Sequence, residues 1–366
     1  MSATPSPVVS PLVGAPGGRL LQPRFHALRV AEIEPLTDDA VALRFDVPEE
    51  LAEEFAFAPG QHVALRVPED DERRSYSVCS APGRPLRVGV RRIPGGVFSG
   101  TVLDRLTPGD TLEVMTPTGR FGAALPDLRR PGFVAAGSGI TPVLAMVAAA
   151  LAEERVQRVS LVDVNRSQRE VMFLDELADL KDRYPDRFHL VHVLTREPQE
   201  SELLSARPDA AALTRIRRTL LGDVDGWFLC GPQGLVAGVR EALLADGVDG
   251  SQVHTELFHA DLAPTADVAV APGLDQVEVE ARLGGRRSSY RIAATETVLD
   301  GLLRTRGDAP YACKGGVCGT CRARVVEGSV TMAASWALEA DEVARGDVLT
   351  CQSRPTSDRL VLDFDA

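Results

Sequence analysis

Cys313-Lys314-Gly315-Gly316-Val317-Cys318-Gly319-Thr320-Cys321 sets three thiols in Cys-x4-Cys-x2-Cys spacing, and Cys351 follows after 29 further residues. That is the ligand spacing of a 2Fe–2S cluster. Two irons need four thiolates from one side of a compact rhomb, and a tight loop can supply three of them. Gly315, Gly316 and Gly319 permit positive φ and let backbone N–H groups approach the sulfides. The fourth thiolate must come from elsewhere, and Val348-Leu349-Thr350-Cys351 reads as a strand. Zinc is the main alternative, but it usually takes paired Cys-x2-Cys knuckles, and no second close pair exists here. The expected iron ligands are Cys313, Cys318, Cys321 and Cys351.

Outward from this loop, Val277-Glu278-Val279-Glu280-Ala281-Arg282-Leu283 alternates as a strand. A second strand and a helix near 298–304 follow, an order that fits a small α+β domain of β-grasp type over 274–366. Residues 260–273 are rich in Ala, Pro and Val and read as a linker. Between 128 and 259, apolar strands alternate with helical stretches at 142–155, 171–181 and 235–245, which argues a parallel sheet flanked by helices. Residues 24–127 read as short strands punctuated by Pro-Gly turns, an antiparallel β-barrel. The first 18 residues carry prolines at 5, 7, 11 and 16 and no charged side chain, and residues 1–23 read as a disordered tail with neither a basic start nor an unbroken apolar core. The fold class is therefore multidomain: barrel, α/β nucleotide-type domain and α+β cluster domain.

Composition narrows the function. The 366 residues carry a formal net charge of −12, which disfavours nucleic-acid binding. The uncharged run 131–152 is long enough to span a bilayer, yet Gly137-Ser138-Gly139 and Pro142 break it into strand, loop and helix. No membrane span is expected. Six cysteines without a secretory signal suggest a reducing cytoplasm.

Three further stretches carry chemistry. Gly137-Ser138-Gly139-Ile140-Thr141-Pro142 follows a strand and opens a helix, so free N–H groups and the helix dipole would face an anion such as a dinucleotide pyrophosphate. Thr141 is expected to cap that helix, with Pro142 where a missing N–H costs nothing. Cys230-Gly231-Pro232 ends another strand, and ligands of such sheets collect at strand C-termini. Arg166, after the second strand, suits an adenosine 2′-phosphate, although Asp163 nearby could instead meet a ribose diol. In the barrel, Arg74-Ser75-Tyr76-Ser77 offers a cation for phosphate, an aromatic for a flat ring and hydroxyls for ring nitrogens. Gly95, Gly96, Val97 and Ser99 would supply donors near a second phosphate. His189 and His192 read as strand filling.

These motifs together resemble the ferredoxin–NADP⁺ reductase superfamily, with a plant-type ferredoxin fused at the C-terminus. The resemblance is carried by Arg74-x-Tyr76-Ser77, Gly95 to Ser99, Gly137 to Pro142, Cys230-Gly231-Pro232, Glu256-Leu257-Phe258 and the cluster cysteines, and it spans nearly the whole chain. Residues 176–185, 193–198, 254–258, 311–322 and 349–353 look more narrowly like the reductase subunits of bacterial phenylacetyl-CoA epoxidases. Asp163-Val164 departs from the aromatic and glycine common there before Asn-Arg, and Leu235 replaces a common methionine. The resemblance implies FAD, a 2Fe–2S cluster and NADPH, with NADH as the alternative donor. It implies electron flow to a di-iron oxygenase component, with Ser77, Cys230 and Glu256 at the transfer site and Phe258 by the nicotinamide. Other readings left open are the reductase of another oxygenase, such as a ketosteroid hydroxylase, and a non-catalytic redox sensor.

Overall fold

The computed structural model describes residues 8–9, 23–67, 73–205, 208–258 and 274–366. The expected tail and linker lie outside these residues, except for Pro23 and the short strand β1 (Val8–Val9). The chain divides into a unit of residues 25–258 and a unit joining residues 1–24 to 259–366.

In the first unit, β2 (Phe25–Thr37), β3 (Ala40–Asp46), β4 (His62–Arg66), β5 (Arg74–Ser77), β6 (Arg87–Arg91) and β7 (Thr111–Met115) form an antiparallel sheet in the order β5-β4-β7-β2-β3-β6. A Val78–Val88 bridge links the two ends and closes the barrel. Closure leaves no free edge. Alternate residues such as Val63 and Leu65 point inward with Leu43, Phe45 and Val88, all essentially inaccessible. Between β6 and β7 lies α1 (Val97–Arg105), a helix that the sequence reading did not assign. Gly96 in extended conformation starts this helix, and Phe98 and Val102 bury against the barrel core.

The rest of this unit runs β8 (Pro131–Ala136), α2 (Ile140–Ala152), β9 (Val159–Asn165), α3 (Leu174–Arg183), β10 (Phe188–Leu194), α4 (Ala210–Ile216), β11 (Gly226–Cys230), α5 (Gln233–Ala245) and β12 (Val253–Glu256). Its five strands are all parallel, in the order β10-β9-β8-β11-β12. The chain winds to one side of β8 and then returns to the other. The crevice between the ends of β8 and β11 is therefore the topological switch point, where ligands of such sheets bind. The apolar run at 131–152 folds as strand, turn and a 13-residue helix. No helix of the described residues is long and apolar enough to cross a membrane.

The second unit contains β13 (Gln276–Leu283), β14 (Arg286–Ala293), α6 (Val298–Leu303), β15 (Arg322–Glu327), β16 (Val330–Met332), α7 (Ala340–Ala344), β17 (Asp347–Leu349), β18 (Ser353–Pro355) and β19 (Arg359–Asp363). The larger sheet has the order β14-β13-β19-β15-β17, and β1, β16 and β18 form a small second sheet. Val298, Leu299 and Leu302 of α6 pack on the sheet with Val279, Ile292 and Leu360. Thr297 caps α6 by accepting from the Asp300 N–H at 3.2 Å. Near the cluster loop, Arg322 holds Glu342 at 2.6 Å and Asp347 at 2.8 Å, and Arg324 reaches Asp347 at 3.1 Å. Paired this way, two buried carboxylates avoid the cost of standing alone.

Candidate functional site

Around the cluster loop, the expected strand at 348–351 stops at Leu349, and Cys351 sits on the following turn. The chain changes sheets there, from β17 to β18, so the thiol stands at a corner instead of in a ladder. Thr350 fixes that corner. Its N–H and hydroxyl donate to the Cys321 carbonyl at 3.1 and 2.9 Å, and its own carbonyl accepts from Leu299 N–H at 3.1 Å. Within the loop, Lys314, Gly316 and Gly319 all take positive φ. The Gly315 N–H points at the Cys313 sulfur from 3.3 Å, and the Gln352 amide donates to the Lys314 carbonyl at 2.8 Å.

The four sulfurs fall into two neighbouring pairs, Cys313 with Cys318 and Cys321 with Cys351. Crowding and burial push the Cys313 and Cys321 thiols up, whereas the contact with Cys321 pulls Cys351 down. Two thiol pairs with glycine N–H donors around them fit a bridged pair of irons.

The barrel motif lies on β5, paired with β4 so that Ser77 faces His62 and Tyr76 faces Val63. Tyr76 stands 5.5 Å, ring centre to ring centre, from Phe98 of α1. Burial pushes its hydroxyl well above the usual tyrosine range. The Ser75 hydroxyl oxygen is buried without a protein partner. A buried orphan hydroxyl is a group that a bound ligand would satisfy, and it lies on the face of β5 opposite Tyr76 because strand side chains alternate. The Ser99 hydroxyl accepts from the Ile93 N–H at 3.0 Å, so it braces the turn at Gly95 and Gly96. The helix start at Val97 leaves N–H groups available to an anion.

In the nucleotide crevice, Gly137 takes positive φ. Thr141 does not cap the helix as expected. It lies inside α2, is buried, and donates its hydroxyl to the Ser138 carbonyl at 3.0 Å, because the helix starts at Ile140, two residues before the expected Pro142. Gly139 and Gly231 bring the two strand ends into contact. A Cβ at Gly139 would stand 2.2 Å from the Cys230 carbonyl oxygen, and one at Gly231 would stand 2.9 Å from Ala136 Cβ. Pro232 then leads directly into α5. Such backbone closeness fits the close approach that a bound pyrophosphate needs.

Ser77 and Glu256, 179 residues apart, meet at 3.4 Å with the serine hydroxyl donating to the carboxylate. Cys230 ends the strand paired with β12, directly opposite Glu256. It is fully buried, and burial together with the Glu256 charge pushes its thiol well above the usual range. Cys230 is therefore a neutral thiol across the neutral pH range. At pH 8 in native protein it should resist iodoacetamide and become labelled only on unfolding, as read by peptide mass mapping. Rapid native labelling would contradict this burial. Phe258 is half-buried against the same core that holds Cys230.

Two features escaped the sequence reading. Asp163 is buried and meets no solvent that a ribose could share. It accepts from the Asn165 amide at 2.8 Å and lies 3.3 Å from His192 Nδ1, and desolvation pushes its carboxyl up. His192 is thus more than strand filling. Arg166 is largely exposed, but it lies 3.6 Å from Glu170, which also binds Arg91 at 2.9 Å. The only sequence signal for either feature was a polar residue at a strand end.

Descriptions of an oxidoreductase FAD-binding domain, an oxidoreductase NAD-binding domain and a 2Fe-2S iron-sulfur cluster binding domain match residues 27–122, 133–241 and 282–356. The chain is 41% identical over 352 residues to a component of the 1,2-phenylacetyl-CoA epoxidase of Escherichia coli (strain K12), covering 93% of this chain and 98% of that one. It is 34% identical over 353 residues to the 3-ketosteroid-9-alpha-monooxygenase ferredoxin reductase component of Rhodococcus rhodochrous, covering 93% and 97%. Among solved structures, an intact type IV self-sufficient cytochrome P450 monooxygenase matches with TM-score 0.70 and 26% identity over 92% of this chain, which spans 41% of that longer one. Phthalate dioxygenase reductase shares the fold, with TM-score 0.57 and 24% identity over 93% of this chain and 98% of that one. The chain belongs to the oxygenase-reductase branch of the ferredoxin–NADP⁺ reductase superfamily, with FAD-binding, NAD-binding and 2Fe–2S domains in one polypeptide.

Proposed function

We propose that the chain is the NADPH-dependent reductase component of a di-iron oxygenase of the phenylacetyl-CoA 1,2-epoxidase type. The observation that carries the electron-transfer reading is the meeting of Ser77 with Glu256 beside buried Cys230. It joins the flavin strand to the end of the nucleotide sheet. The 41% identity to the epoxidase component along nearly the whole chain favours that acceptor over a ketosteroid oxygenase.

Bound FAD would accept hydride as an electron pair and release electrons singly to a 2Fe–2S cluster, the conversion that this pairing of cofactors supplies. The protein's part is positioning. Arg74, Ser75 and Tyr76 would hold the flavin, with the Val97 helix start and the Gly95-Gly96 turn braced by Ser99 at its phosphates. Gly137, Ser138 and Gly139, with Gly231 and Pro232, would seat the nucleotide pyrophosphate, Arg166 the 2′-phosphate and Phe258 the nicotinamide. Ser77 would pass a proton between the Glu256 carboxylate and a flavin ring nitrogen, and the uncharged Cys230 thiol would line the hydride path. Cys313, Cys318, Cys321 and Cys351 would hold the iron. Six cysteines with no disulfide among them suit a reducing compartment such as the cytoplasm.

Reconstitution tests the acceptor. With the purified oxygenase components of the epoxidase, product should form in proportion to NADPH consumed. Vigorous cytochrome c reduction without any epoxide would assign the chain to another oxygenase.

A further inference from the structure

The crevice proposed for the nucleotide holds an ionic network that is neutral before any ligand arrives. Arg91, on barrel strand β6, donates its Nε to Asp39 at 2.9 Å and an Nη to Glu170 at 2.9 Å. Glu170 also lies 3.6 Å from Arg166. A methyl group added at Gly137 would stand 3.3 Å from an Arg91 nitrogen, so this guanidinium touches the glycine loop itself. Two cations and two carboxylates therefore share the place where a polyanion should bind.

The two carboxylates are not equivalent. Asp39 is locked in the β2–β3 turn, where its own carboxylate accepts from the Thr37 hydroxyl at 2.9 Å. Glu170 ends a single short turn, Gln168–Glu170, and among the described residues no barrel-turn hydroxyl ties it down as Thr37 ties Asp39. Of the two, it is the carboxylate placed on both arginines.

We infer that Glu170 is a built-in competitor for nucleotide phosphate, occupying Arg166 and Arg91 until a 2′-phosphate displaces it, and so weakening and grading NADPH binding. This rests on the reading above that the glycine loop and Arg166 receive the nucleotide. The physical basis is ordinary: a carboxylate in the site must give up its ion pairs as the phosphate arrives, and its charge repels that phosphate until it moves.

The test uses holoenzyme and isothermal titration calorimetry with 2′,5′-ADP and with 5′-AMP. Glu170→Gln should bind 2′,5′-ADP about three- to tenfold more tightly. The gain for 5′-AMP should be smaller, because Arg91 keeps Asp39. Glu170→Gln combined with Arg166→Ala should lose that gain. If Arg166→Ala weakens 2′,5′-ADP but Glu170→Gln changes nothing, the competitor role is wrong and the nucleotide reading stands. If neither variant alters binding, both are wrong. Weaker binding of both ligands in Glu170→Gln would make Glu170 a structural strut and overturn the proposal.

Discussion

Cys351→Ala is expected to cut reduction of a one-electron protein acceptor by about a hundredfold or more, equivalent to about 2.7 kcal/mol in barrier. NADPH-dependent reduction of ferricyanide, which can take electrons from the flavin, should remain within about twofold. The reason is positional. Cys351 stands alone on its turn, paired with Cys321 across the loop anchored by Thr350. The polar group beside it cannot replace it: the Gln352 amide lies 3.7 Å from the sulfur as a donor. Alanine fills most of the buried space, so the sheet should persist. Iron content measured beside the two activities separates cluster loss from unfolding. Equal loss of both activities would mean that the two units do not act in series.

Gly139→Ala is the second change with a large expected effect. The added methyl would meet the Cys230 carbonyl oxygen at 2.2 Å, its carbon at 2.5 Å and the Gly231 nitrogen at 2.9 Å. All three are backbone atoms, so no side chain can rotate away. Gly139 has φ −60, so the problem is space and not backbone preference. Forcing apart the ends of β8 and β11 should cost about 1–3 kcal/mol and open the nucleotide cradle. The KM for NADPH should rise about tenfold or more, while the flavin spectrum stays native because the barrel motif lies on other strands. Gly238→Ala is the control: it sits in α5 with nothing within 4 Å, and should be neutral or stabilising by about 0.5–1 kcal/mol. Unchanged NADPH kinetics in Gly139→Ala would remove the crevice from nucleotide binding.

Much of the site was legible where chemistry is written in local spacing. The Cys-x4-Cys-x2-Cys loop, the Gly-x-Gly turn and the alternating strands each encode their geometry within a few residues. Elements whose identity depends on tertiary burial were harder. Val97-Phe98-Ser99 carries β-forming residues, yet it folds as a helix because Phe98 and Val102 reach the barrel core. Cys351 looked like strand because Val348 and Leu349 are apolar, and only the change of sheet shows it to be a corner. Long-range polar partners left no local trace. Arg91 and Glu170 are 79 residues apart, and Asp163 meets His192 only because β9 and β10 align in that register. The resemblance brought Ser77 and Glu256 to one site, but their direct contact appears only in the structure, since spacing alone says nothing about two residues 179 apart.

The central claim is that hydride enters at the barrel and nucleotide crevice and leaves as single electrons through the cysteine loop. Anaerobic titration of the as-purified protein with NADPH, followed by visible absorbance and electron paramagnetic resonance, tests it most directly. Wild type should bleach in both the flavin and iron–sulfur bands and develop the resonance of a reduced 2Fe–2S centre, whereas Cys351→Ala should bleach in the flavin band alone. A wild-type cluster that stays oxidised while the flavin is fully reduced would contradict the account.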